Sequence, residues 1–126
     1  MKQFKTTFAV VLAAVLILGC SLLNFGGKFS PPDWILGTWA DSLGTTEYTF
    51  ETDNVTQTIA GYGINLGLAY IAATVTETSN DSLYEFSITQ SESTASYLFE
   101  KTSATTLDYT ITASSTTSPV MKLTKQ

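Results

Sequence analysis

The chain has 126 residues, a net charge of −5, six Lys, one Cys, no His and no Arg. That length suits one domain with a modest core. Without His the commonest general base and metal ligand is missing, and one Cys permits neither an internal disulfide nor a thiolate cluster. An acidic chain without Arg is poorly equipped to hold nucleic-acid phosphates.

Residues 1–20 have three parts. Lys2 and Lys5 form a short positive start, Phe8 to Leu18 is an uncharged apolar stretch, and Gly19-Cys20 closes it. This layout reads as a secretory signal. Eleven helical residues reach about 16 Å, short of the ~30 Å of a bilayer core. Ile17-Leu18-Gly19-Cys20 resembles a bacterial lipobox. The resemblance implies that Cys20 carries a diacylglyceryl group and becomes the first residue after cleavage. It also implies a secreted, lipid-anchored protein of the bacterial cell envelope. Ser21 after the cysteine points to the outer membrane, with the membrane face left open. Loss of residues 1–19 removes Lys2 and Lys5 and leaves four Lys against eleven acids, a charge of −7. Gly26-Gly27 and Pro31-Pro32 mark residues 20–33 as a tether, and the folded domain is expected over 34–126.

From Trp34 onward Thr, Tyr, Ile and Val dominate and apolar residues alternate with polar ones at period two, the pattern of half-buried strands. Eight strands are expected in chain order. They are Gly37 to Asp41, Thr45 to Thr52, Val55 to Ala60, Tyr70 to Thr78, Leu83 to Gln90, Thr94 to Lys101, Thr105 to Ala113 and Pro119 to Lys125. Ile71, Ala73 and Val75 should point inward together. Turn signals every 10–12 residues in the second half, and no amphipathic helix to carry a parallel crossover, indicate antiparallel hairpins. The expected fold is all-β, a small antiparallel up-and-down β-barrel. Tyr62 to Tyr70 alternates large and small residues and breaks the rhythm. It is read as a strand or plug completing the core, with a short helical lid near the mouth as the alternative.

Trp34-Ile35-Leu36-Gly37-Thr38-Trp39 resembles the Gly-x-Trp start of lipocalins and related calycin barrels. The resemblance implies a lipocalin-like barrel of about eight strands, in which Gly37 and Trp39 close one end. Lipocalins usually bring an Arg from the last strand onto that Trp; here Lys122 or Lys125 could take its place, without the planar stacking surface. The run GTWADSLGTTEYTF is also similar to the first hairpin of avidin-like proteins, and Asp41 and Thr45 fall where those proteins contact biotin. The Trp residues those proteins supply from later strands are missing, so biotin binding is not carried over. The Trp-Ile-x-Gly-x-Trp start and the Leu123-Thr124-Lys125 end are similar to small lipocalin-like lipoproteins of the spirochaete type.

A barrel of eight strands is just wide enough to be filled by side chains or to hold one small ligand. Tyr48, Tyr84, Phe86, Tyr97 and Tyr109 are the candidate ligand-binding residues. Two functions remain open. One is a membrane-anchored module binding a small apolar or amphipathic ligand. The other is an envelope or surface protein with a filled core that contacts an envelope or host protein. No catalysis is expected: Glu47, Glu51, Glu85 and Glu100 fall on outward faces or strand ends, and no His stands ready to activate a Ser. No metal or cofactor is expected either. Asp53-Asn54 and Asn80-Asp81 supply far fewer than the six to eight oxygens calcium takes.

Overall fold

The computed structural model describes residues 29–126; Cys20 and the expected signal lie outside them. A single 3-10 turn, Asp33–Ile35, leads into β1 (Gly37–Ala40), β2 (Thr46–Glu51), β3 (Asn54–Ile59) and β4 (Tyr62–Asn65). One helical turn, α1 (Leu66–Ala69), precedes β5 (Thr74–Ser79), β6 (Leu83–Gln90), β7 (Ser93–Lys101) and β8 (Thr106–Ala113). A two-residue β9 (Thr116–Thr117) and β10 (Met121–Lys125) finish the chain. The hydrogen-bonded order is β4-β3-β2-β1-β10-β8-β7-β6-β5, with β9 paired to β8. Every pairing is antiparallel. The protein is thus an all-β, up-and-down antiparallel sheet that curls into a half-barrel.

The eight expected strands are all present, and β4 and β9 are additional. Tight two-residue turns help set the register. Ala60-Gly61, Ser91-Glu92 and Ser114-Ser115 all have positive φ, between 52° and 86°, as type I′ hairpin turns require.

The sheet's path explains its irregular stretch. Nine alternating strands leave the two edges, β4 and β5, running in the same direction. A hairpin cannot join such strands, so Leu66 to Ala73 must travel back along the height of the sheet. Tyr62 to Tyr70 is therefore half strand and half helical crossover. The strand expected from Tyr70 begins only at Thr74. Of the three residues expected inward there, Ala73 is buried and Val75 half-buried, but Ile71 is exposed. Asn65 starts the crossover by accepting from the Leu68 N–H at 3.1 Å, an N-cap. Asn54, itself buried, donates to Asn65 at 2.8 Å and accepts from the Gly67 N–H at 3.1 Å.

Cross-strand partners share a face of the sheet, so the register defines the inner one. The interior is packed with rings. Phe99 on β7 is fully buried and sits 5.1–6.4 Å, centroid to centroid, from Tyr48, Phe50, Tyr84, Phe86 and Tyr109. Tyr48 and Phe50 come from β2, on the other half of the sheet, so these contacts hold the curl together.

The lower end, where the chain enters, is closed. Trp39 is fully buried and donates from Nε1 to the Ile35 carbonyl at 2.7 Å. Lys125 Nζ lies 5.6 Å from the Trp39 ring centroid. Lys125 thus takes the position expected of a last-strand cation, while Lys122 pairs with Asp108 at 3.0 Å on the outer face. Gly37 has φ +119°, and a Cβ there would meet Lys125 Cε at 3.3 Å. Only glycine suits that conformation without strain.

The packing reaches further back than Trp34. Phe29 and Pro31, expected in the tether, are buried. The Phe29 ring meets Phe86 edge-on at 5.0 Å, and the Ser30 N–H donates to Glu77 Oε2 at 2.7 Å.

Phe99→Ala should lose about 3–5 kcal/mol, the cost of emptying a buried phenylalanine site. Urea unfolding followed by circular dichroism checks this: a loss under about 1 kcal/mol would remove Phe99 from the centre of the core.

Candidate functional site

Burial of the inner face changes from the lower to the upper end of the sheet. On β8, Leu107 and Tyr109 are buried, Ile111 is half-buried and Ala113 is exposed. On β3, Val55 is 0% exposed, Gln57 8% and Ile59 47%. On β6, Tyr84, Phe86 and Ile88 are buried and Gln90 is exposed. On β7, Phe99 and Tyr97 are buried and Ala95 is half-buried. Leu123 on β10 is buried, and Met121 above it is half-buried. The lower part of the interior is solid, whereas the upper part ends in apolar side chains that solvent reaches.

The five candidate residues all point inward and are 0–8% exposed. The structure brings them into one stack but divides their surroundings. Tyr48, Tyr84 and Phe86 are sealed in the ring cluster. Tyr97 lines a cavity of about 200 Å³ at the upper rim, with Tyr70, Ile88, Ala95 and Ala113 and the polar Gln90, Ser93, Thr94 and Ser114. Tyr109 borders a more polar recess of about 340 Å³ with Asp41, Thr46 and Met121. This recess opens where β1 and β10 part, above their short pairing at Trp39↔Lys125 and Ala40↔Thr124. Gly37 and Trp39 sit at the opposite, closed end.

The hydroxyls follow the same division. Gln57 Nε2 donates to the Tyr48 hydroxyl at 2.7 Å, and Tyr84 donates to Glu77 Oε2 at 2.6 Å. Buried polar groups need such partners. The Thr46 side chain partly offsets the rise in the Tyr109 pKa. Among the described residues none hydrogen-bonds the Tyr97 hydroxyl; its ring stacks on Phe86 at 4.8 Å. Burial pushes the pKa of Tyr48, Tyr84, Tyr97 and Tyr109 above the ordinary value of 10.0. The Glu77 hydrogen bond adds to the shift at Tyr84, and nearby Tyr70 adds to it at Tyr97.

Asp41 and Thr45 are occupied with each other. The Asp41 carboxylate accepts from Thr45 Oγ1 at 2.7 Å and from the Thr45 N–H at 2.8 Å, and the Thr45 hydroxyl bond lowers its pKa. Their polarity serves the β1–β2 turn.

Buried Gln57, half-buried Tyr70 and exposed Glu77 are polar residues at the inner face that the sequence reading did not single out. Glu77 lies two positions beyond Val75, in phase with the inward row, and Gln57 lies between Val55 and Ile59. Parity alone was the available signal. Among the described residues no three Asp, Glu, Cys or His side chains gather as a metal site would require.

A second surface feature lies along the edge. Tyr62, Ile64, Leu68 and Ile71 are 42–79% exposed on β4 and the crossover.

No protein-family model matches the chain, and no match is found among curated proteins or solved structures.

The raised phenol pKa values set an alkaline limit on stability. Above about pH 10 the unfolded chain ionises these tyrosines while the folded state resists. The stabilisation is complete below that pH and is lost as pH rises through the higher folded values. Absorbance titration of tyrosinate should therefore show Tyr48, Tyr84, Tyr97 and Tyr109 ionising together with unfolding. Smooth ionisation of all six tyrosines near pH 10 in the folded protein would mean that water reaches the ring cluster.

Proposed function

We propose that this protein is a secreted, lipid-anchored binding module, and that its barrel takes a small apolar or amphipathic ligand at the upper end. The observation that carries this reading is the change in inner-face burial. Strand after strand loses burial towards its upper end and leaves Ile59, Ile111, Met121 and Ala95 partly or largely open to solvent. Ligand sites are typically concave and mostly apolar with a few polar groups, and this end combines those features. The lower rings act as a floor. They give the mouth a fixed shape and limit the ligand to the upper part.

The anchor is proposed from the sequence of residues 17–20. The nine residues from Ser21 to Phe29 can span at most about 32 Å, so an acylated Cys20 would keep the barrel close to the bilayer. The chain enters at the closed end, which leaves the mouth free to exchange ligand with the surrounding phase. Nothing in this scheme calls for catalysis, a metal or a cofactor.

The exposed residues Tyr62, Ile64, Leu68 and Ile71 favour a second reading, an envelope or host protein bound along the sheet edge. Contiguous exposed apolar residues often mark such contacts.

Mass spectrometry of the protein purified from its own cells separates these elements. Under denaturing conditions the mass should equal residues 20–126 plus diacylglyceryl and any further acyl groups. Under native conditions an additional mass, lost on denaturation, should report the ligand. An unprocessed, unacylated chain would overturn the anchor. A native mass with no addition, both as purified and after incubation with a lipid extract, would overturn ligand binding and leave the sheet edge as the functional surface.

A further inference from the structure

The cavity above Tyr97 has properties that narrow the ligand class, an inference that rests on the proposed binding role. Its volume is about 200 Å³. A cavity of about 150 Å³ holds benzene, so this one suits a single ring with a short substituent. Drug-sized ligands occupy about 300–1,000 Å³ and would enter it only in part. Ile88, Ala95 and Ala113 give it apolar walls, Tyr70 and Tyr97 give it aromatic ones, and the exposed Gln90, Ser93, Thr94 and Ser114 form a polar rim. Rings favour offset or edge-on contact with such walls.

Inside that rim, the buried polar group is the Tyr97 hydroxyl. Tyr97 is 8% exposed and lines the cavity. No other described residue hydrogen-bonds its hydroxyl, whereas Tyr48 and Tyr84 have partners. A phenol is protonated and able to donate at neutral pH. A wholly apolar ligand would cover the donor and leave it unpaired, which lowers affinity. No charged residue lines the cavity. A carboxylate would therefore lose its hydration without gaining a cation.

We infer that the cavity lined by Tyr97, Tyr70, Ile88, Ala95 and Ala113 is a binding site for a neutral, single-ring molecule whose carbonyl or ether oxygen accepts from the Tyr97 hydroxyl. Tyr97 selects the acceptor, the apolar walls select the ring, and the lack of charge rejects acids.

The test compares three probes of one size, acetophenone, toluene and benzoate. The full chain in detergent is labelled with ¹³C in Tyr rings and in Ala, Ile and Met methyls, and binding is read by NMR. Acetophenone should shift the Tyr97, Ala95 and Ala113 signals saturably, and toluene should bind about five- to tenfold more weakly. Benzoate should give no saturable shift. Tyr97→Phe keeps the ring on Phe86 and should weaken acetophenone and strengthen toluene, so that the two bind alike. Ala113→Leu, at the exposed rim, should abolish binding of both with the Phe99 environment intact. Equal affinity for acetophenone in the wild type and Tyr97→Phe, or benzoate binding as tightly as acetophenone, would overturn the inference. 1-Dodecanol separates this failure from the wider one. If it shifts Ile59 and Met121 while acetophenone leaves Tyr97 unmoved, the site assignment falls and the binding mouth stands. If no probe shifts any signal of the upper interior, both fall.

Discussion

The contacts of Phe99 with rings from β2, β6 and β8 hold the half-barrel in its curl. Backbone pairing alone would make a ribbon of nine strands with a registered contact at the β1–β10 junction only two pairs long. The rings turn that ribbon into a closed lower core. Tyr48 and Phe50 reach from one half of the sheet to Phe99, Tyr84 and Tyr109 in the other, and each buried aromatic removes about 150–250 Å² from water. The hydroxyls of Tyr48 and Tyr84 do not interrupt this packing, because buried Gln57, and Glu77 on the exposed edge strand β5, supply their partners.

An odd number of strands in the main path has consequences for the rest. It leaves β4 and β5 parallel in direction, and a crossover takes the place of a hairpin. Its single helical turn buries Leu66 and exposes Leu68, and the chain then brings Tyr70 to the rim of the upper cavity. The same constraint leaves one apolar edge uncovered and places aromatic side chains over the mouth. Site and edge are two results of one topological fact. The lower end is settled differently. Trp39 seals it from within, Lys125 covers the ring face, and Gly37 supplies the backbone conformation that lets the lysine stem approach.

Much of this was legible in period-two alternation. Leu83 to Gln90 was placed to the residue, and inward rows such as Tyr84-Phe86-Ile88 followed from parity. The choice between Lys122 and Lys125 at the Trp39 ring was settled by the phase of β10, where Lys125 shares a face with Leu123. Other features were hidden for physical reasons. A four-residue helix has no period to detect. Phe29 stood between a Gly-Gly and a Pro-Pro pair that pointed to a tether, and its burial depends on Phe86, far away in sequence. Gln57 and Glu77 interrupt apolar rows, and only the cross-strand register brings each to its tyrosine. The division between filled floor and open mouth was beyond the sequence, because all five candidate rings share one face and only their height differs.

The central claim is that height decides function: solid packing below, a small apolar recess above. Xenon enters empty apolar space without needing a hydrogen bond, so diffraction from crystals of the full chain under xenon pressure tests the claim directly. The account expects xenon above Tyr97, beside Ala95 and Ala113, and none between Phe50, Tyr84 and Phe99. Xenon among those lower rings, or none above Tyr97, would contradict it.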